Sequence, residues 1–238
     1  MKTQLTTQAF THAATQAAVA ATAIITVLSM TFFVAEPGIS HAVDSSAFRI
    51  RQTIVDETSF TTQPSNVTMQ GGGINGLTGG TATGTTPFVV RSNNASGYTV
   101  TIAFENNAGA HAMLGDESDS EAIRDYSGDD GADPSYNFTA STAAQFAYAV
   151  YASTSADASD NFLNNGTNDC NSNEGTRTIG KCWKAPSTGA YQIISRETSA
   201  SNGATSTIYF KVHVPSGANP IPSAETYTAT ATLTLLIQ

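Results

Sequence analysis

The densest collection of side chains able to do chemistry lies in "GDESDSEAIRDYSGDDGADPSY", from Gly115 to Tyr136. It holds eight of the eighteen acids found after residue 42. Asp116, Asp119, Asp125, Asp129, Asp130 and Asp133 supply hard carboxylate oxygens there. A calcium ion takes about six to eight such oxygens from carboxylates, carbonyls and water. These aspartates are therefore the candidate ligands of a calcium site, and calcium is the one cofactor that the sequence suggests. Their spacing follows neither an EF-hand loop nor a nonapeptide repeat. A solvated loop kept soluble by its own repulsion accounts for the same residues.

Cys170 and Cys182 are the two cysteines of the chain. No CxxC and no paired histidine accompanies them, so zinc has little to hold it. A disulfide is the expectation, because two thiols in an oxidising compartment pair. Closing so short a loop is worth a little under the ~3 kcal/mol expected for about 15 residues.

Catalytic groups are few. His111 and His213 are the histidines after residue 42, far apart in sequence, and neither a GxSxG elbow nor an HExxH motif is present. Gly71, Gly73 and Gly76 satisfy GxGxxG. A dinucleotide fingerprint needs a strand before it and a helix after it, and no helical pattern follows. The expectation is a noncatalytic protein.

The elements that must carry these residues begin behind a leader. Lys2 precedes the apolar run Ala17 to Ala35, then "EPG" breaks the helix and Ser40-His41-Ala42 follows. Charge, apolar run and small residues at −3 and −1 describe a secretory signal peptide over 1–42, a helix cut off between Ala42 and Val43. Residues 43–238 should form one domain that is secreted or displayed at the cell surface. Nine basic residues there face eighteen acids, a balance that repels nucleic acid and anionic lipid. No later apolar run is long enough for a membrane span after cleavage.

Beyond the leader the readable pattern has period two. "AFRIRQTIVD" (47–56) sets Phe48, Ile50 and Ile54 against Arg49 and Arg51 and predicts a strand. "PFVVRSNNASGYTVTIAFE" predicts a hairpin about "SNNASG", and "QFAYAVYA", "AYQIISRET" and "TSTIYFKVHV" predict three more strands, with Asn202-Gly203 supplying a turn between the last two. "ESDSEAIRDY" has room for a helical turn or two, and the glycine-rich stretch 71–84 reads as a loop. The close, "YTATATLTLLIQ", places Tyr227, Ala229, Ala231, Leu233 and Leu235 on one face and threonines Thr228 to Thr234 on the other. It carries no charge and no proline, so it should pair within the fold rather than lie bare. Together these elements predict an all-β protein: an antiparallel Ig-like or Greek-key β-sandwich with long polar loop insertions, following the signal-peptide helix.

"PIPSAETYTATATLTLLIQ" and "FVVRSNNASGYTVTI" resemble the final strand and a hairpin of bacterial surface β-sandwich families, the WxL-type wall-binding domains and the spore-coat-U-type pilin subunits. The resemblance covers about 35 residues, and no Trp-x-Leu motif is present because Lys184 and Ala185 follow Trp183. It implies a surface sandwich and transfers no functional residue. The expected role is structural or adhesive, with other surface proteins, further copies of the chain, or glycans as partners. For a glycan- or protein-binding module, the aromatic candidates beside the loops are Tyr126, Tyr136, Trp183 and Tyr191.

Overall fold

The computed structural model describes residues 48–105, 111–118, 120–128, 134–138, 142–154, 157–171 and 178–238. The signal-peptide helix and its Ala42–Val43 cut lie outside the described residues, as do Asp119, Asp129, Asp130 and Asp133. The chain divides into two units, Met1–Thr53 and Ile54–Gln238. In the first, residues 48–53 carry no regular structure. The strand expected over 47–56 therefore does not form across its described part. Its alternation is intact, but the segment has no ladder among the described residues, and Phe48, Ile50, Ile54 and Val55 are 76 to 86% exposed.

The second unit is built from ten strands: β1 (Thr58–Thr62), β2 (Gly80–Ser92), β3 (Tyr98–Phe104), β4 (Met113–Gly115), β5 (Ala122–Asp125), β6 (Gln145–Ala152), β7 (Tyr191–Arg196), β8 (Ala200–Val214), β9 (Tyr227–Ala229) and β10 (Ala231–Ile237). They make two sheets, one of seven strands in the order β1-β2-β8-β6-β5-β4-β9 and one of three in the order β10-β3-β7. Every pair is antiparallel except β5 with β6. Among the described residues helical structure is confined to short 3-10 turns, such as Asp160–Phe162. The chain is thus all-β and two-layered.

The long pairing of β2 with β8 is the spine of the larger sheet. It takes in Gly80 to Gly84, part of the stretch expected to be a loop, because Ala82, Gly84, Thr86, Phe88 and Val90 alternate inward along one ladder. Asn202-Gly203 does not make the turn that the sequence suggests. It lies inside β8, where the register with β2 shifts between Val90 and Ser92 and Gly203 takes φ 88°. "AIRD" is strand β5 rather than a helical turn, since β4 and β6 offer it a partner on each side.

The core fills the space between the sheets. Phe104 of β3 lies 6.1 Å from Phe146 and 5.2 Å from Tyr148, both on β6, with Val90, Val100, Ile102, Ile194 and Ile208 around them. Each such side chain, fully buried, contributes about 1.5–3 kcal/mol. Two alanines of β6 face the other way. Ala147 and Ala149 lie beneath Phe138 and Trp183, whose rings are 5.7 Å apart, and small side chains leave room for that second cluster on the outer face. The three lysines after residue 42 sit over rings: Lys181 over Tyr136 at 4.4 Å, Lys184 over Tyr191 at 4.2 Å, and Lys211 over Phe138 at 4.9 Å. Cys170 and Cys182 are joined, with Cα atoms 5.6 Å apart, and the half-cystine Cys182 is fully buried in the main core.

Candidate functional site

The terminal run does pair, and it does so twice. β9 pairs with β4 in the larger sheet, Tyr227 opposite Gly115, while β10 pairs with β3 in the smaller one, Leu233 opposite Ile102. The chain crosses between sheets at Thr230, whose carbonyl accepts the Glu105 N–H at 2.9 Å. β10 is the last strand of its sheet, so its second edge has no ladder partner among the described residues. The expected alternation holds at Tyr227, Ala229, Leu233 and Leu235, which are half-buried while Thr228, Thr232 and Thr234 are exposed. Ala231 departs from it and is exposed, beside the crossing.

A groove opens where β9 passes into β10. Its first part, about 460 Å³, has Ile102, Phe104, Phe146, Ile208 and Phe210 as floor and Thr228 to Ala231 with Leu233 as one lip. The opposite lip is the segment 64–69, held to β2 by Ser65 N–H donating to Thr86 Oγ1 at 2.8 Å and, just beyond it, by the Gln70–Thr83 backbone pair. A Cβ on Gly84 would run into Val67 and Met69, so this glycine lets the lip lie close on the strand. The second part, about 550 Å³, shares Met69, Met113 and Tyr227 with the first and continues over Ile123, Val212 and Val214 to Ile221. The glycine-rich loop closes its far end. Asn75 Oδ1 accepts the Leu77 and Thr78 N–H groups, and a Cβ on Gly76 would stand 2.8 Å from the Pro222 carbonyl oxygen. Of the motif, Gly71 and Gly76 are closely packed while Gly73 faces open space, and no helix follows it.

Among the described residues, Glu225 is the one charged side chain lining either part. Its Oε2 accepts the N–H groups of Glu117 and Ser118, at 2.9 and 3.2 Å. Burial, with the carboxylates of Glu225 and Glu121 adding to it, pushes the Tyr227 phenol up, and its hydroxyl donates to the Ser223 carbonyl at 3.1 Å. The site is an apolar trench with a strand backbone along one side and an acid at its rim. It offers backbone pairing and side-chain pockets to an extended chain.

The other candidates are placed as follows. Asp116 stands at the turn of the β4–β5 hairpin and Asp125 at the hairpin's opposite end, so these two calcium candidates are not brought together. Among the described residues no group of three or more His, Cys, Asp or Glu gathers for a metal ion. Asp125 Oδ1 accepts the Ala112 N–H at 3.0 Å, and its other oxygen is 3.8 Å from His111 Nδ1. Desolvation raises the Asp125 pKa against the lowering effects of that bond and of His111. His213 Nδ1 lies 2.7 Å from Thr81 Oγ1 across the β2–β8 ladder, and burial, with Lys211, lowers its pKa. Tyr126, Tyr136 and Trp183, expected as stacking platforms, are 4, 7 and 6% exposed and pack inward instead. The groove itself was not apparent from sequence. Its signal was there in Val67, Met69, Ile74 and Leu77, single apolar residues set among turn formers. Compared with models of known protein families and with curated proteins, the chain finds no match.

Proposed function

We propose that this is an exported, noncatalytic Ig-like β-sandwich that works in a cell-surface or extracellular structure by taking up an extended strand from another chain. The observation that carries the reading is the uncharged edge of β10, without a ladder partner among the described residues, at the end of an apolar groove. Monomeric proteins blunt such edges with lysine, proline or a covering loop, because a bare ladder recruits another chain. β10 carries neither residue, and exposed threonines alternate with half-buried leucines along it. The resemblance of its final strand to bacterial surface sandwiches points the same way.

The test is association. The purified chain is expected to form larger species as its concentration rises in sedimentation experiments, or to bind isolated envelope fragments. Introducing Thr232→Lys and Thr234→Lys on the exposed face of the edge strand should weaken either behaviour without shifting the melting curve. A chain that stays monomeric at high concentration and binds no envelope fragment would sink the reading.

A further inference from the structure

We infer that the second part of the groove, from Met69 and Met113 to Ile221, binds a small cationic amphiphile, an alkyl chain that ends in an ammonium group. The inference goes beyond the strand-accepting role and does not rest on it, since no residue of β10 lines this part. Its floor is the larger sheet, where Ala82, Met113, Ile123, Val212 and Val214 are buried. No residue of the smaller sheet lines it, and the facing wall is made by two loops, 74–77 and 221–225. A cavity of about 550 Å³ with an apolar lining and few polar groups has the size and character of a small-molecule site.

One wall is held in place by its own hydrogen bonds. Beyond the two amides that the Asn75 side chain accepts, the Asn75 carbonyl accepts the Gly79 N–H at 2.8 Å. The Leu77 carbonyl accepts the Gly217 N–H at 3.1 Å, which fixes this loop to the turn after β8. Such preorganisation lowers the ordering cost of binding. At the same pocket Leu77 and Ile221 are 65 and 54% exposed, large apolar side chains that lose water when an alkyl chain lies against them. The head group follows from charge. Glu225 Oε2 is taken by the Glu117 and Ser118 N–H groups, and Oε1 has no hydrogen bond among the described residues. Tyr227, whose hydroxyl donates to the Ser223 carbonyl, keeps its oxygen lone pairs to accept. The Glu225 and Glu121 carboxylates both act on that phenol, so the rim is electronegative. Among the described residues no lysine or arginine lines the pocket to neutralise it. An ammonium brings three donors and the matching charge, whereas a carboxylate head is repelled.

The experiment titrates the full chain with decylammonium, decanol and decanoate below micelle-forming concentrations, read by displacement of the fluorescent probe N-phenyl-1-naphthylamine. Decylammonium should bind at a single site and at least about tenfold more tightly than decanol, the scale of one hydrogen bond to a charged group. Decanoate should bind more weakly than either. This comparison of heads on the wild-type chain needs no variant. Glu225→Gln should remove the preference for the ammonium and leave decanol unchanged. Leu77→Ser/Ile221→Ser, two exposed positions, should weaken decylammonium and decanol alike, with equal thermal melts establishing that the variants fold. Equal binding of decylammonium and decanol, a preference that survives Glu225→Gln, or affinities unmoved by Leu77→Ser/Ile221→Ser would each overturn the inference. Uptake of a lysine-containing peptide with no binding of decylammonium would make the pocket a docking site for protein and overturn it as well. Association through β10 is read separately by sedimentation, so either proposal can fail while the other stands.

Discussion

Arg196 Nη1 donates to Asp157 Oδ2 at 2.6 Å, and the carboxylate side chain is only 4% exposed. The same guanidinium closes the turn from β7 to β8, donating from Nε to the Thr198 carbonyl at 3.0 Å and from Nη2 to the Ser199 carbonyl at 2.9 Å. One side chain thus ties the 3-10 region to the sheet edge. Removing the acid leaves a partly buried cation uncompensated, so Asp157→Ala should cost about 3 kcal/mol. Urea unfolding should show a lower midpoint with an unchanged slope. A loss below about 1 kcal/mol, the size of a surface pair, would mean that water already solvates this site.

Tyr98 is 2% exposed in the core, and burial, reinforced by Asp157 and opposed by Arg196, pushes its phenol up to about 12. An unfolded chain ionises this group near pH 10. Between those two values the unfolded state holds fewer protons than the folded one, so stability falls as pH rises. The contribution is complete below pH 10 and the loss amounts to about 2–3 kcal/mol by pH 12. Tyr98→Phe should flatten this alkaline limb in melts taken across pH 9 to 12 and leave stability at pH 7 within about 1 kcal/mol. An unchanged alkaline limb would place the sensitivity elsewhere.

Gly115 is where β4 passes beneath Glu225, and a Cβ there would overlap the Glu225 carboxyl group. Gly115→Ala should displace that carboxylate from the Glu117 and Ser118 N–H groups and cost about 1–3 kcal/mol. Hydrogen exchange should quicken at those two amides. Glu225→Ala opens the same two amides, so the double variant should be less destabilised than the sum of the singles. Strict additivity would show that the two residues act independently.

The interior strands were readable from local pattern because their partners share the pattern. In "QFAYAVYA" Phe146, Tyr148 and Val150 of β6 face the core while Ala147 and Ala149 underlie the outer cluster, so alternation and outcome agree. "AFRIRQTIVD" alternates just as well, and its described residues form no strand. A strand needs a ladder as well as a pattern, and which edge is vacant is a property of the whole topology. β5 shows the converse, since four residues with little β character are extended because two neighbours pair with them.

The groove was hidden for a related reason. Its floor comes from β3, β6 and β8, its lips from segments more than 150 positions apart, Pro64–Met69 and Thr228–Leu233. No local window contains both. The crossing at Thr230 was equally silent, since nothing in "TATATLT" marks where the chain leaves one sheet for the other. Of the six calcium-candidate aspartates, only Asp116 and Asp125 fall among the described residues, and sequence proximity did not foretell that a hairpin would hold them apart.

The lysine–ring pairings bear on how this protein can be handled. With each of the three ammonium groups after residue 42 lying against an aromatic face, acylating dyes and amine-coupled sensor chips will find sluggish handles. What they do modify will strip a cation from its ring. Eighteen carboxylates in the same stretch make carbodiimide attachment the gentler route.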